Sequence, residues 1–124
     1  MKDFFISRIQ SFGHAFAGMG YVLKTQKNAY IHSIATISVI LMAIWLGIQP
    51  VPFSILILTI GTVWTAEFIN TSLEAVVDLA SPERHPLAKV GKDVGAAAVL
   101  IAALSSVIIG IIIMGPALLS KLGL

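Results

Sequence analysis

The sequence predicts an all-α membrane protein, with three transmembrane helices preceded by an amphipathic surface helix. Hydrophobic residues make up 57% of the 124 and charged residues 11%. A water-soluble domain of this size could not hide that much apolar surface. The apolar residues gather in stretches at 31–48, 53–77 and 96–114, each near the ~20 residues that cross a bilayer. The basic residues avoid those stretches. Lys2, Arg8, Lys24 and Lys27 precede the first, and Arg84, Lys89 and Lys92 separate the second from the third. By the positive-inside rule both basic regions face the cytoplasm, with the hairpin tip and the C-terminus outside.

Each element has its own signature. In residues 1–30, Phe5, Ile9, Phe12, Phe16, Met19 and Leu23 recur at alternating steps of four and three, while Ser7, Gln10, Ser11 and His14 face away. That is one apolar stripe on a helix, suited to lying in the cytoplasmic interface with its aromatics among acyl chains. A helix packed against the spans is the other reading. The first and second spans should form a hairpin, because the link at Gln49-Pro50-Val51-Pro52 is short and uncharged. Ser81-Pro82 and His85-Pro86 should break the second span from the third and leave the charged loop in water. The third span carries Gly95, Ala98, Ala102 and Ser105 at helical spacing, with Gly110 beyond. Small residues let helices approach closely in lipid, so an oligomer is expected to bury this face. One domain, 1–124, is expected, with no repeat and no cleavable signal peptide, since mixed-polarity residues precede the first span.

Composition also excludes. A net charge of +2 is too small for nucleic-acid binding, and with no cysteine there is neither a disulfide nor a thiolate metal site.

Chemistry concentrates at the end of the second span, where Glu67, Glu74 and Asp78 fall within roughly 40° on a helix at ~100° per residue. Asn70 and Thr71 flank them, and no Lys or Arg lies within that segment. Acids entering a membrane-length helix are costly without a cation, so a divalent metal is the expected compensation. Ion pairing with Arg84, Lys89 or Lys92 is the alternative. Glu67 and Glu74 are two turns apart, a rise of ~10 Å. That spacing gives the metal to Glu74, nearer the water, and leaves Glu67 for a proton. Further on, Lys89-Val-Gly-Lys92-Asp93-Val-Gly95 places a Lys between glycines at what reads as a helix entrance, with amides free for phosphate. Carboxylates with a metal, plus that Lys, suit a metal-nucleotide. No Walker pattern is present. His32, within Asn28-x-x-x-His32, reads as an interfacial anchor rather than a metal ligand. Trp45 and Trp64 read as lipid-facing or packing residues.

The run Glu67-x-x-Asn70-Thr71-Ser72-Leu73-Glu74-x-x-Val77-Asp78, followed by Gly91-Lys92-Asp93-Val94-Gly95, resembles the signature of the small prokaryotic diacylglycerol kinase family, which also contains the undecaprenol kinases. The similarity covers nearly the whole chain. It implies a homotrimeric inner-membrane kinase with active sites shared between neighbouring subunits, moving the γ-phosphate of ATP to a lipid hydroxyl with Mg²⁺. By that resemblance Glu67 is the proton acceptor and, with Asn70, meets the lipid substrate. Glu74 is a metal ligand. Arg8, His14, Asn70, Asp78, Glu83, Arg84, His85, Lys92 and Asp93 form the nucleotide side. The family usually places a second metal-binding Glu where this chain has Gln26, which offers a carbonyl oxygen but no charge. The residue at the position of His14 also often differs.

Three functions compete. A lipid kinase acting on diacylglycerol or undecaprenol uses every feature above. The Gln-Lys-Asn-x-x-Ile-His start of the first span resembles the Gram-positive and cyanobacterial branch of the family more than the enterobacterial one, a resemblance that leans towards undecaprenol. A small cation transporter or channel explains Glu67 but leaves Lys92, Asp93 and the His85 loop unused. A structural membrane protein does not explain the acid stripe.

Overall fold

The computed structural model describes the backbone of residues 1–124 and all side chains except those of 2 and 3. Its helices are α1 (Lys2–Thr25), α2 (Lys27–Leu46), α3 (Pro50–Ala80) and α4 (Pro86–Leu122), with no strand among the described residues. The last three are long and apolar enough to cross a membrane.

α1 and α2 are separated by Gln26 alone, in an extended conformation at φ −96° and ψ 119°. The stripe on α1 stays exposed, with Phe5, Ile9, Phe12 and Phe16 each more than 60% accessible, while Val22 near its end is buried. α1 leans on α2 and α3 and makes no contact with α4 among the described residues. An exposed aromatic stripe favours the surface-helix reading over the packed one.

The hairpin turn lies earlier than the prolines suggest, at Gly47–Gln49. Gly47 adopts φ +69° to end α2, and the Ile48 N–H donates to the Ala43 carbonyl at 3.0 Å. This closure satisfies carbonyls that a helix end otherwise strands. Pro50 and Pro52 open α3 instead of interrupting it, because the first turn has no use for their missing N–H groups.

α3 and α4 form the main packed pair. Leu56, Val63, Glu67 and Asn70 follow one buried stripe on α3, and Gly95, Val99 and Gly110 are buried on α4. Gly95 is therefore used within the chain, against the expectation that an oligomer buries it. A Cβ there would overlap Asn70 Oδ1. α2 is tied to α3 by Trp64, whose Nε1 donates to Thr36 Oγ1 at 3.0 Å and whose ring stacks on Phe68 at 5.7 Å. Trp64 is thus a packing residue, whereas Trp45 is half exposed.

Helix length positions the acids. From Pro50 the axial rise is roughly 26 Å to Glu67, 36 Å to Glu74 and 42 Å to Asp78 at ~1.5 Å per residue. With Pro50 at one face of a hydrocarbon core of ~30 Å, Glu67 would fall inside it, Glu74 near its far face and Asp78 beyond.

Candidate active site

The acids predicted to share a face do so, but each meets a different neighbour. Glu67 is 1% exposed, and its Oε2 lies 3.7 Å from His32 Nε2 on α2. That separation is too long for a hydrogen bond, and neither atom has another partner. Thr71, buried beside it, donates to the Glu67 carbonyl at 2.9 Å. His32 packs edge-on against Trp64 at 6.0 Å. Sequence spacing could not reveal it as the neighbour of Glu67, since the two sit on different helices.

One turn along, Asn70 is buried and its Nδ2 donates to Glu74 Oε1 at 3.0 Å. Its Oδ1 has no partner and points at Gly95 on α4. Glu74 is half-buried. Asp78 pairs with Lys92 Nζ at 2.6 Å, so the cation missing from α3 is supplied, for this acid, by α4. Lys92 lies ahead of the apolar part of α4. The hydrogen bond to Asp78 holds its ammonium pKa above the ordinary lysine value, against the opposing effect of desolvation and with help from the charges of Asp78 and Glu74.

The segment Gly91-Lys92-Asp93-Val94-Gly95 is not a helix entrance. α4 begins at Pro86, where His85 is the N-cap and its Nδ1 accepts from the Leu87 N–H at 3.2 Å. The amides around Lys92 are therefore taken up in the helix, and only side chains there can meet a phosphate. Asp93 pairs with Lys89 at 2.5 Å.

The loop and both helix ends line an open cleft of about 650 Å³. It brings together Asp78, Glu83, Arg84, His85, Lys92 and Asp93, most of the nucleotide-side residues expected from the sequence. Arg8 and His14 are not brought there. Both are exposed on α1, and Arg8 lies over the Phe4 ring at 5.5 Å. Two apolar grooves flank α3. One, of about 670 Å³, runs past Gly61, Thr65 and Ala98 to Asn70 and Leu73. The other, of about 530 Å³, lies among α2, α3 and α4 and includes His32, Thr36, Val63 and Gly110.

No trio of His, Asp or Glu side chains able to hold a metal alone exists among the described residues. Gln26 is half-buried at the α1–α2 break. An ion held by one or two protein donors plus phosphate oxygens is what Mg²⁺ commonly requires, so the lack of such a trio does not exclude a metal brought by a ligand.

The family model described as prokaryotic diacylglycerol kinase matches residues 13–114. A Synechocystis protein named diacylglycerol kinase is 42% identical over 111 residues, covering 89% of this chain and 63% of its own length. An undecaprenol kinase of Bacillus subtilis is 36% identical over 109 residues, covering 88% of this chain and 89% of its own. A diacylglycerol kinase of Escherichia coli is 34% identical over 96 residues, with 72% and 79% covered.

Proposed function

The chain belongs to the prokaryotic diacylglycerol kinase family, and from that membership we propose that it is a membrane lipid kinase. It transfers the γ-phosphoryl group of ATP to the hydroxyl of a lipid alcohol, diacylglycerol or undecaprenol. The carrying observation is a fully buried carboxylate, Glu67, with an unpartnered oxygen. It sits beside a residue of an apolar groove and on the helix whose end lines a charged cleft. A lipid kinase needs those three surroundings together: a dry site for a hydroxyl, a base, and a place for a triphosphate. Nothing in this arrangement favours a cation transporter.

The cleft takes the nucleotide. Lys92 and Arg84 offer charge to phosphate oxygens, and the pairing of Lys92 with Asp78 fixes its ammonium before ATP arrives. Glu74, with Gln26, would hold Mg²⁺ brought by ATP, and the ion when bound offsets negative charge on the β- and γ-phosphate oxygens. Asn70 holds one oxygen of Glu74 and so aims the other. In the transfer the lipid O–H bond breaks, its proton passes to Glu67, and the oxygen bonds to the γ-phosphorus. The bond from that phosphorus to the bridging oxygen breaks, and ADP leaves with the electron pair. Exclusion of water from Glu67 limits hydrolysis of ATP in place of transfer.

A homotrimer in the cytoplasmic membrane, with sites shared between copies, accounts for Arg8 and His14. They lie on a helix that does not touch α4 of its own chain, and another copy's α1 could bring them to the cleft. The active site then faces the cytoplasm.

The test is transfer of γ-labelled phosphate by purified protein in mixed micelles containing diacylglycerol or undecaprenol. The expected result is label in the extracted lipid, with a preference for one alcohol. No label in either lipid, from protein shown to be folded and assembled, overturns the reading.

A further inference from the structure

We propose that His32 is the positioning residue for Glu67, with Nε2 donating to Oε2 so that the other carboxylate oxygen, Oε1, is left to accept the substrate proton. The assignment rests on the lipid-kinase reading for the reaction it serves, but not for the contact itself.

Three observations carry it. The two atoms face each other at 3.7 Å across the α2–α3 seam, and both are buried without another partner. Closing the gap by roughly 1 Å reaches hydrogen-bond length, and such catalytic contacts are often long before substrate binds. Second, the His32 ring has a fixed neighbour on one side. It packs against Trp64, which is itself fixed by Thr36 and Phe68. Third, His32 also lines the apolar groove among α2, α3 and α4, so a hydroxyl approaching Glu67 from that groove meets the ring first.

Among the described residues, the surroundings offer no competing charge partner. On α3, Glu74 is engaged by Asn70 and Asp78 by Lys92. On α4, Asp93 is engaged by Lys89, and the segment packed on Asn70 is Gly95. On α2, the hydroxyl of Ser33 donates to Ala29 and that of Thr36 accepts from Trp64. On α1, Lys24 and Tyr21 are exposed. A carboxylate without a fixed donor rotates between equivalent orientations, and a base acts only in one of them. A donor on one oxygen removes that freedom, as outer partners do for other catalytic and ligating groups.

The experiment compares His32→Ala and His32→Gln in the assembled full-length enzyme, each alone and with Glu67→Gln. His32→Ala should lower kcat by roughly 10- to 100-fold, the range typical of outer-partner loss, with the KM for ATP within about twofold. His32→Gln, whose amide can donate from a similar reach, should recover most of that loss. In the Glu67→Gln background the same His32→Ala change should cost less than about threefold, because the two residues act as a unit. A second readout does not use turnover. The ¹⁵N resonance of His32 Nε2 should move on Glu67→Gln and stay put on Glu83→Gln.

Wild-type kcat in assembled His32→Ala overturns the proposal. So does an equal loss in both Glu67 backgrounds, or an Nε2 resonance indifferent to Glu67→Gln. If the wild-type protein phosphorylates neither alcohol, the lipid-kinase reading fails, and the resonance alone decides whether the contact exists.

Discussion

The two ends of the α2–α4 bundle treat polar groups in opposite ways. At the hairpin end the stranded carbonyls of α2 are taken up. Ala43 and Ile44 accept from the backbone of Ile48 and Gly47. Trp45 accepts from Lys121 Nζ, whose ammonium also lies 4.7 Å from the centre of the Trp45 ring. At the acid end, His32 Nε2, Glu67 Oε2 and Asn70 Oδ1 are buried without partners. Such a group costs about 1–3 kcal/mol. The contrast separates a structural end from a chemical one, and substitutions at the two ends should differ in kind.

The largest effect is expected at Glu67. Glu67→Gln keeps the volume and removes the proton acceptor, so kcat should fall by ~10²–10⁴-fold with little change in ATP binding. Single-turnover measurements with a parallel ATP titration check it. Loss of ATP affinity with a preserved transfer rate would make Glu67 a binding residue. Glu74→Gln should also silence turnover, by about 10²-fold or more, but at the metal. Raising Mg²⁺ should recover part of the activity in Glu74→Gln and none in Glu67→Gln. Near wild-type turnover of Glu74→Gln at saturating Mg²⁺ removes Glu74 from that role.

Gly95→Ala tests whether packing on α4 sets the acid end. The added Cβ overlaps Asn70 Oδ1, so Asn70 must turn and release Glu74. A stability loss of about 1–3 kcal/mol is expected, with roughly tenfold lower kcat, or ~1.4 kcal/mol in the barrier. Gly91→Ala is the matched control, because its Cβ would meet Val77 Cγ2 at an ordinary 3.7 Å. Equal activity in the two variants would mean that Asn70 does not aim Glu74.

How much of this was legible in the sequence depends on the distance over which an interaction acts. The three apolar helices, the breaks at Ser81-Pro82 and His85-Pro86 and the acid stripe are local patterns, and all are present, although α4 runs from Pro86 to Leu122, well beyond the apolar stretch at 96–114. The turn at Gly47 was misread because prolines look like breakers, although in a first turn they are harmless. The Gly91–Gly95 segment was misread for a related reason: glycines flanking a Lys suggest an entrance, but His85 and Pro86 had already started the helix. The pairing of Asp78 with Lys92 was one of several candidates that spacing left open. The His32–Glu67 contact had no local signal, since it arises only when α2 packs on α3 through Trp64.

A smaller effect is expected at Gln26, where the chain carries an amide in place of an acid. Gln26→Glu should lower the Mg²⁺ concentration for half-maximal activity by up to about fivefold. That is what ~1 kcal/mol of attraction between charges near 4 Å in water provides. An unchanged or raised requirement in a magnesium titration at fixed ATP would show that Gln26 does not stand in for a metal ligand.

The smallest effect on turnover belongs to Lys121→Met, which tests the structural end. Lys121 donates to the Trp45 carbonyl near the end of α2 and lies over the Trp45 ring. Methionine keeps the apolar stem but removes the charge and the donor. An exposed cation–ring contact is worth about 0.5–1 kcal/mol, and a cation at a helix C-terminus about 0.3–1 kcal/mol. The two share one ammonium and do not simply add, so a loss near 1 kcal/mol is expected. It should appear as a thermal midpoint lowered by a few degrees in the same detergent, with kcat and the KM for ATP unchanged. The argument from position is direct: along α3, at ~1.5 Å per residue, Glu67 lies roughly 26 Å and Glu74 roughly 36 Å from the Pro50 end, beyond reach of any side chain there. A fall in kcat comparable to that of Gly95→Ala would mean that the two ends are coupled through α4.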